Sequence, residues 1–105
     1  MVLVNQTTEI PVHKTEHSRL EGLDLSNVQF GKILADHMLV AEYQNGQWHN
    51  VRIEPMGPLP MSPALSGLHY GQSIFEGMKA FRNIHGGVQL FRPKANLRRM
   101  NASAE

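Results

Sequence analysis

The chain has 105 residues, 18% of them charged and 41% hydrophobic, and its ten Lys and Arg against nine Asp and Glu leave a formal net charge of +1. That composition belongs to ordinary soluble globular chains and excludes both general disorder and the strong field that nucleic acid or an anionic membrane surface would need. The absence of cysteine removes disulfides, thiolate nucleophiles and sulfur-ligated metals and agrees with a reducing, cytoplasmic setting, while the length sets a ceiling of one domain with a modest core.

The first residues, MVLVNQTTEIPVHKTEHSRL, turn polar after four apolar positions, so neither a signal peptide nor a membrane span of roughly 18 apolar residues is expected. The Asn-x-Thr at Asn5 and the Asn-x-Ser at Asn101 then read as chance matches, because glycosylation needs a secretory route. Residues 1–27 show no sustained period and are expected to form a loosely ordered arm with at most a turn of helix. His13 and His17 stand four apart, but no third ligand follows at a useful spacing, so no metal site is expected.

From Met38 the pattern becomes a hairpin: MLVAEYQ, the turn Asn45-Gly46, and QWHNVRI. Asn-Gly favours a type I′ turn because both residues tolerate positive φ. Gln47, His49, Val51 and Ile53 alternate with Trp48, Asn50 and Arg52, as in a strand with two unlike faces, and the doubly apolar start of the first arm predicts that it is the central strand. Residues 54–63, EPMGPLPMSP, are too proline-rich for a ladder and predict a stiff connector rather than a domain boundary.

Ser62-Pro63 resembles an N-cap followed by proline at the first helical position, and Leu65, Leu68, Phe75 and Met78 approximate a helical stripe. A helix is therefore expected near 64–76, weakened by Gly67, Gly71 and Gly77. MKAFR and VQLFR, separated by Asn83-Ile84-His85-Gly86-Gly87, predict a second hairpin. A closing helix is expected over 94–104, with Leu97, Met100 and Ala104 facing a core and Asn96, Arg99 and Ser103 on the adjacent face. The fold class expected is α+β: antiparallel hairpins in a sheet, with helices packed on it.

No self-contained active site is legible. The chain has no Gly-x-Ser-x-Gly elbow, no phosphate loop ending in Lys-Ser/Thr and no His-Glu-x-x-His helix, and its scattered carboxylates give acid/base pairing no support. What remains is a dense run, LHYGQSIFEGMKAFR followed after the turn by LFRPKANLRRMNASA.

Residues 68–104 of this run resemble the branched-chain aminotransferases of the fold type IV pyridoxal-phosphate enzymes. Those enzymes carry a His-Tyr-Gly-like segment, Phe-Glu-Gly, and Leu-Phe-Arg-Pro leading into an Asn-x-x-Arg-Met helix. Phe30-Gly31 and Asp36-His37-Met38 extend the resemblance to about three quarters of the chain, and the Gly-Gln after Tyr70 is similar to bacterial members. The resemblance implies that residues 28–105 are part of the small N-terminal domain, that the coenzyme is pyridoxal 5′-phosphate, and that the intact enzyme is a homodimer. Its reaction would move the amino group of leucine, isoleucine or valine to 2-oxoglutarate.

By the same resemblance Arg99 is the residue that grips the coenzyme phosphate, a role that suits a planar guanidinium able to give two parallel charge-assisted hydrogen bonds. Arg98 points about 100° away on a helix and serves as an internal control. Tyr70 matches a pocket tyrosine, and Phe30 and Phe75 match apolar walls for the substrate side chain, although from sequence alone ordinary core packing is the better explanation of Phe30 and Phe75.

None of Lys14, Lys32, Lys79 and Lys94 matches the family's Schiff-base lysine, which the resemblance places in a later, large domain, so no catalytic residue is assigned. The chain is thus expected to be an N-terminal portion with no turnover of its own and weak coenzyme binding. The alternatives are another fold type IV enzyme, such as a D-amino-acid aminotransferase or an aminodeoxychorismate lyase, and a non-catalytic binding or scaffold protein of the same fold.

Overall fold

In a computed structural model, which describes residues 9–105, the chain first turns back on itself at Asn45 and Gly46, both left-handed, with φ of 51° and 79°. They join strand β1 (His37–Gln44) to strand β2 (Gln47–Pro55) in an antiparallel pair. Positive φ at both central residues is the twist that lets a two-residue loop close a hairpin without splaying its strands. Tyr43 lies opposite Trp48, and the rings meet edge to face with centroids 5.1 Å apart.

Beyond that pair the register shifts. Val40 pairs with Arg52 and Glu42 with His49, so Asn50 and Val51 together oppose Ala41. Asn50 takes up the extra residue with a φ of 51°, a bulge conformation that asparagine tolerates better than most side chains. The bulge breaks the uninterrupted alternation expected of this strand, and Val51, Arg52, Ile53 and Glu54 are all half-buried in succession. The central position also differs from expectation. β2, not β1, has neighbours on both sides: the Ile53 amide donates to Pro11 O (2.9 Å), and the His13 amide donates to Ile53 O (2.8 Å).

The described part of the N-terminal arm is held by Asp36. Its carboxylate accepts from the Ser18 hydroxyl and from the Arg19 amide, each at 2.7 Å, while Arg19 Nη1 reaches Ala35 O at 2.6 Å. These bonds hold the Asp36 carboxyl below the usual carboxylate range, the Ser18 hydroxyl contributing most. The neighbouring His37 accepts the Thr15 amide at Nε2 (3.0 Å). A short 3-10 turn, Leu25–Asn27, capped by Asp24 through the Ser26 amide, is the one helical turn in this stretch. The Asn5 sequon and the apolar first residues lie outside the described residues.

The chain divides between Leu59 and Pro60, inside the proline-rich connector where the sequence predicts no boundary. In the second unit, helix α1 (Ser66–His69) is a single turn instead of the helix expected near 64–76. Gly71, with a φ of 63°, takes the chain out of right-handed helix immediately after it. Ser62 caps only a preceding turn, in which its hydroxyl accepts the Ala64 amide (3.2 Å).

Strands β3 (Ala80–Arg82) and β4 (Val88–Leu90) form the second hairpin. Its turn is organised by Asn83, whose side-chain oxygen accepts the amides of His85 and Gly87, both at 2.9 Å. A side chain at Gly87 would meet the Asn83 amide nitrogen at 3.0 Å, a tight approach that Asn83 would have to yield to by a few tenths of an ångström.

Helix α2 (Pro93–Ser103) opens on a proline preceded by Arg92 in left-handed conformation, φ 48° and ψ 51°. Proline at the first helical position loses no hydrogen bond. The architecture is α+β, as expected, but with two separate two-stranded sheets in place of one. The expected core is not formed by the described residues, none of which is fully buried, and Leu97 remains 53% exposed on α2. Three-residue strands offer too little face for a helix to cover. No helix among the described residues is long and apolar enough to cross a membrane.

If Asp36 ties the arm to the start of β1, Asp36→Ala will raise hydrogen-exchange rates at the Arg19 and Leu20 amides while leaving those of Gln44 and Gln47, the pair that closes the β1–β2 turn, unchanged. Equal acceleration at both places would refute that local role.

Candidate functional site

The second unit carries one charged cluster, built where the extended segment after α1 meets one face of α2. Glu76 is the hub, with a side chain only 7% exposed. Arg99 grips it by one edge: Nε donates to Oε2 at 2.6 Å and Nη2 donates to Oε1. Asn96, three residues earlier and on the same face of the helix, donates its side-chain amide to Glu76 Oε1 (3.0 Å) and to Gly77 O (2.8 Å). Ser103, one turn later, returns its hydroxyl to Arg99 O at 3.0 Å. The helical spacing thus puts Asn96, Arg99 and Ser103 where the sequence predicts them.

So many donors make the carboxylate hard to protonate. Arg99 contributes most, then Asn96, with the Gly77 amide adding a little; against the opposing effect of burial they pull Glu76 from 4.5 to about 2. Sequence reading missed Glu76 because its partner lies 23 residues away. The one signal available was its place inside the Phe-Glu-Gly run.

The geometry leaves half of the guanidinium unused. Only the Nε and Nη2 edge is taken, and Nη1 has no partner among the described residues. The Arg99 side chain is 68% exposed, and with Phe75, Glu76, Gly77 and Ser103 it lines a shallow depression of about 230 Å³. A second planar fork, Nη1 with the remaining Nη2 hydrogen, is therefore available to an oxyanion. Arg98 lines a different depression, with Arg92, Pro93, Lys94 and Ala95.

Phe75 shares the Arg99 depression, and Tyr70 sits just past α1; both are in the second unit, whereas Phe30 belongs to the first. Exposure is 105% for Phe30, 83% for Tyr70 and 91% for Phe75, which rules out core packing within the described residues as the explanation for the two phenylalanines. No group of three or more candidate metal ligands occurs among the described residues.

Comparison with known proteins then decides the relationship. Over 83 residues the chain is 47% identical to branched-chain-amino-acid transaminase 1 of Bacillus subtilis (strain 168), a match covering 78% of this chain and 23% of that protein. It is 48% identical over 81 residues to a probable branched-chain-amino-acid aminotransferase of Staphylococcus aureus (strain MRSA252), covering 76% and 22%. With the branched-chain-amino-acid aminotransferase of Mycolicibacterium smegmatis the figures are 46% over 81 residues, 76% and 22%. The chain is homologous to the N-terminal portion of branched-chain aminotransferases. It spans under a quarter of the length of these curated relatives. No family model matches it.

Against an aminotransferase's usual coenzyme, pyridoxal phosphate, the residues fit one end only. The open edge of Arg99 suits a phosphate ester, but none of Lys14, Lys32, Lys79 and Lys94 lines its depression to meet the aldehyde.

Because Glu76 is more acidic folded than unfolded, its contribution to stability is complete above about pH 4.5 and is lost as the pH falls towards about 2. A carbon-13 titration of the Glu76 carboxyl should show a midpoint near 2, moving up towards 4.5 in Arg99→Ala. An unchanged midpoint in that variant would contradict the pairing.

Proposed function

We propose that this chain carries the phosphate-binding arginine and part of the substrate wall of a pyridoxal-phosphate-dependent branched-chain aminotransferase. The reaction moves the amino group of leucine, isoleucine or valine to 2-oxoglutarate. The observation that carries the reading is the alignment of more than three quarters of the chain with a named transaminase at 47% identity.

Arg99 holds the coenzyme phosphate through its open edge, and its place on α2 fixes where that edge starts. The bound coenzyme would supply an electron-withdrawing ring for the chemistry at the amino acid's α-carbon. Phe75 and Tyr70 of the second unit supply apolar surface, which a hydrocarbon side chain needs for roughly 25 cal/mol per Å² buried, and Phe30 of the first unit is assigned the same role by itself. The Tyr70 hydroxyl gives that wall a polar tip.

Residues 28–105 form part of the small domain and residues 1–27 an arm leading to it, while the lysine that bonds the coenzyme lies outside these 105 residues. The whole protein works as a homodimer in the cytoplasm, in branched-chain amino-acid biosynthesis. With one anchor of several, the chain by itself binds the coenzyme weakly and does not turn over.

Titration of the chain with pyridoxal 5′-phosphate, followed by phosphorus-31 line shape, tests the assignment. Arg99→Lys, which keeps the charge and removes the fork, should weaken binding roughly tenfold or more. Arg98→Lys should leave it within about twofold, as expected of a surface contact. If the loss follows Arg98 instead, the phosphate site has been misplaced.

A further inference from the structure

Arg99 meets two demands that look incompatible, since a guanidinium already bonded to a carboxylate has to accept a phosphate. The edges of the group resolve this. Glu76 takes Nε and Nη2, the side chain of Arg99 stays 68% exposed, and the Nη1 edge has no partner among the described residues.

We propose that Glu76 is the positioning residue of the oxyanion site, holding Arg99 by one edge so that the opposite edge of the same plane is presented to the phosphate group. The inference rests on the reading of Arg99 as the phosphate ligand and adds the device that aims it.

Three observations carry it. Glu76 is the enclosed partner, 7% exposed, so the carboxylate forms the floor and the arginine faces outward. Its orientation is fixed independently of Arg99 by the Asn96 amide at 3.0 Å, and Asn96 is itself tied to Gly77 O at 2.8 Å. The cluster also joins two stretches of chain 20 or more residues apart, so the guanidinium plane is set by the fold rather than by the arginine's own rotamers.

Two opposing effects follow from the carboxylate. Its negative charge repels an incoming phosphate across the width of a guanidinium, a distance too short for salt to screen, but the high dielectric of the facing solvent weakens that repulsion. Against it stands the rotamer freedom that a long, exposed arginine would otherwise lose on binding. A two-bond, charge-assisted contact depends on alignment, so orientation is the larger effect.

Wild type, Glu76→Gln, Asn96→Ala, Arg99→Lys and the double variant Glu76→Gln/Arg99→Lys are titrated with pyridoxal 5′-phosphate and, separately, with inorganic phosphate. The Arg99 Nε–H resonance is recorded throughout, with the α2 backbone amides as the check on folding. Glu76→Gln should lower affinity for pyridoxal 5′-phosphate roughly three- to tenfold and broaden the Nε–H signal.

Asn96→Ala keeps both charges and should produce a smaller loss in the same direction; it carries the test if Glu76→Gln disturbs α2. In the Arg99→Lys background, Glu76→Gln should have no further effect, since there is no fork left to aim. Equal or tighter binding by both Glu76→Gln and Asn96→Ala would make Glu76 a competitor and overturn the proposal, while leaving Arg99 as the ligand. Unchanged binding by Arg99→Lys would instead remove the Arg99 reading itself.

Discussion

The second unit depends on one ion pair. Glu76 and Arg99, with Asn96 beside them, connect the extended segment after α1 to the only helix of more than one turn among the described residues. Without that pair, only the Asn96 hydrogen bonds and chain connectivity would relate residues 76–77 to α2, because no apolar core lies between them. An exposed ion pair is ordinarily worth little, since solvent screens it and two long side chains must be ordered. This pair differs in being asymmetric: the carboxylate is enclosed and multiply bonded, and only the arginine faces water. The ordering is shared among three side chains and the backbone of Gly77 instead of falling on two side chains alone.

Asp36 plays the corresponding part in the first unit, where it collects the Ser18 hydroxyl and the Arg19 amide. In both units a carboxylate with several donors fixes a stretch of chain that has no regular structure. Polar clamps of this kind define position well but add little net stability, because each bond replaces one to water. The apolar side chains tell the complementary story. Phe30, Tyr70, Phe75 and Ile84 are each more than four-fifths exposed, far beyond the scattered surface hydrophobics of a typical domain. Residues so placed are available to line a pocket or meet another surface, and unavailable to hold this chain together.

What the sequence discloses follows the range of the interactions. The Asn45-Gly46 turn and the start of α2 at Pro93 are legible because one or two adjacent residues decide them. The failure of the helix expected near 64–76 is half-legible: the glycines warn of weakness, but only the left-handed φ of Gly71 shows where the helix stops. The bulge at Asn50 is invisible to an alternation count, because it depends on how β1 pairs with β2. Arg99 is recognisable from its motif and Glu76 is not, although they form one cluster, since a pairing 23 residues apart leaves no local signature.

The same difference in surroundings separates the two neighbouring arginines of α2. Arg98 and Arg99 are adjacent, equally charged and on the same helix, so composition, net charge and helical propensity cannot separate them. Their surroundings can. Arg98 shares its depression with Arg92 and Lys94, a cationic neighbourhood that can attract an anion but fixes no plane, whereas Arg99 has its plane set by a carboxylate behind it. For a ligand such as phosphate, attraction is available at both places and geometry at only one. A nearby carboxylate, which on charge alone would argue against an anion site, is here the feature that distinguishes the arginine suited to bind one.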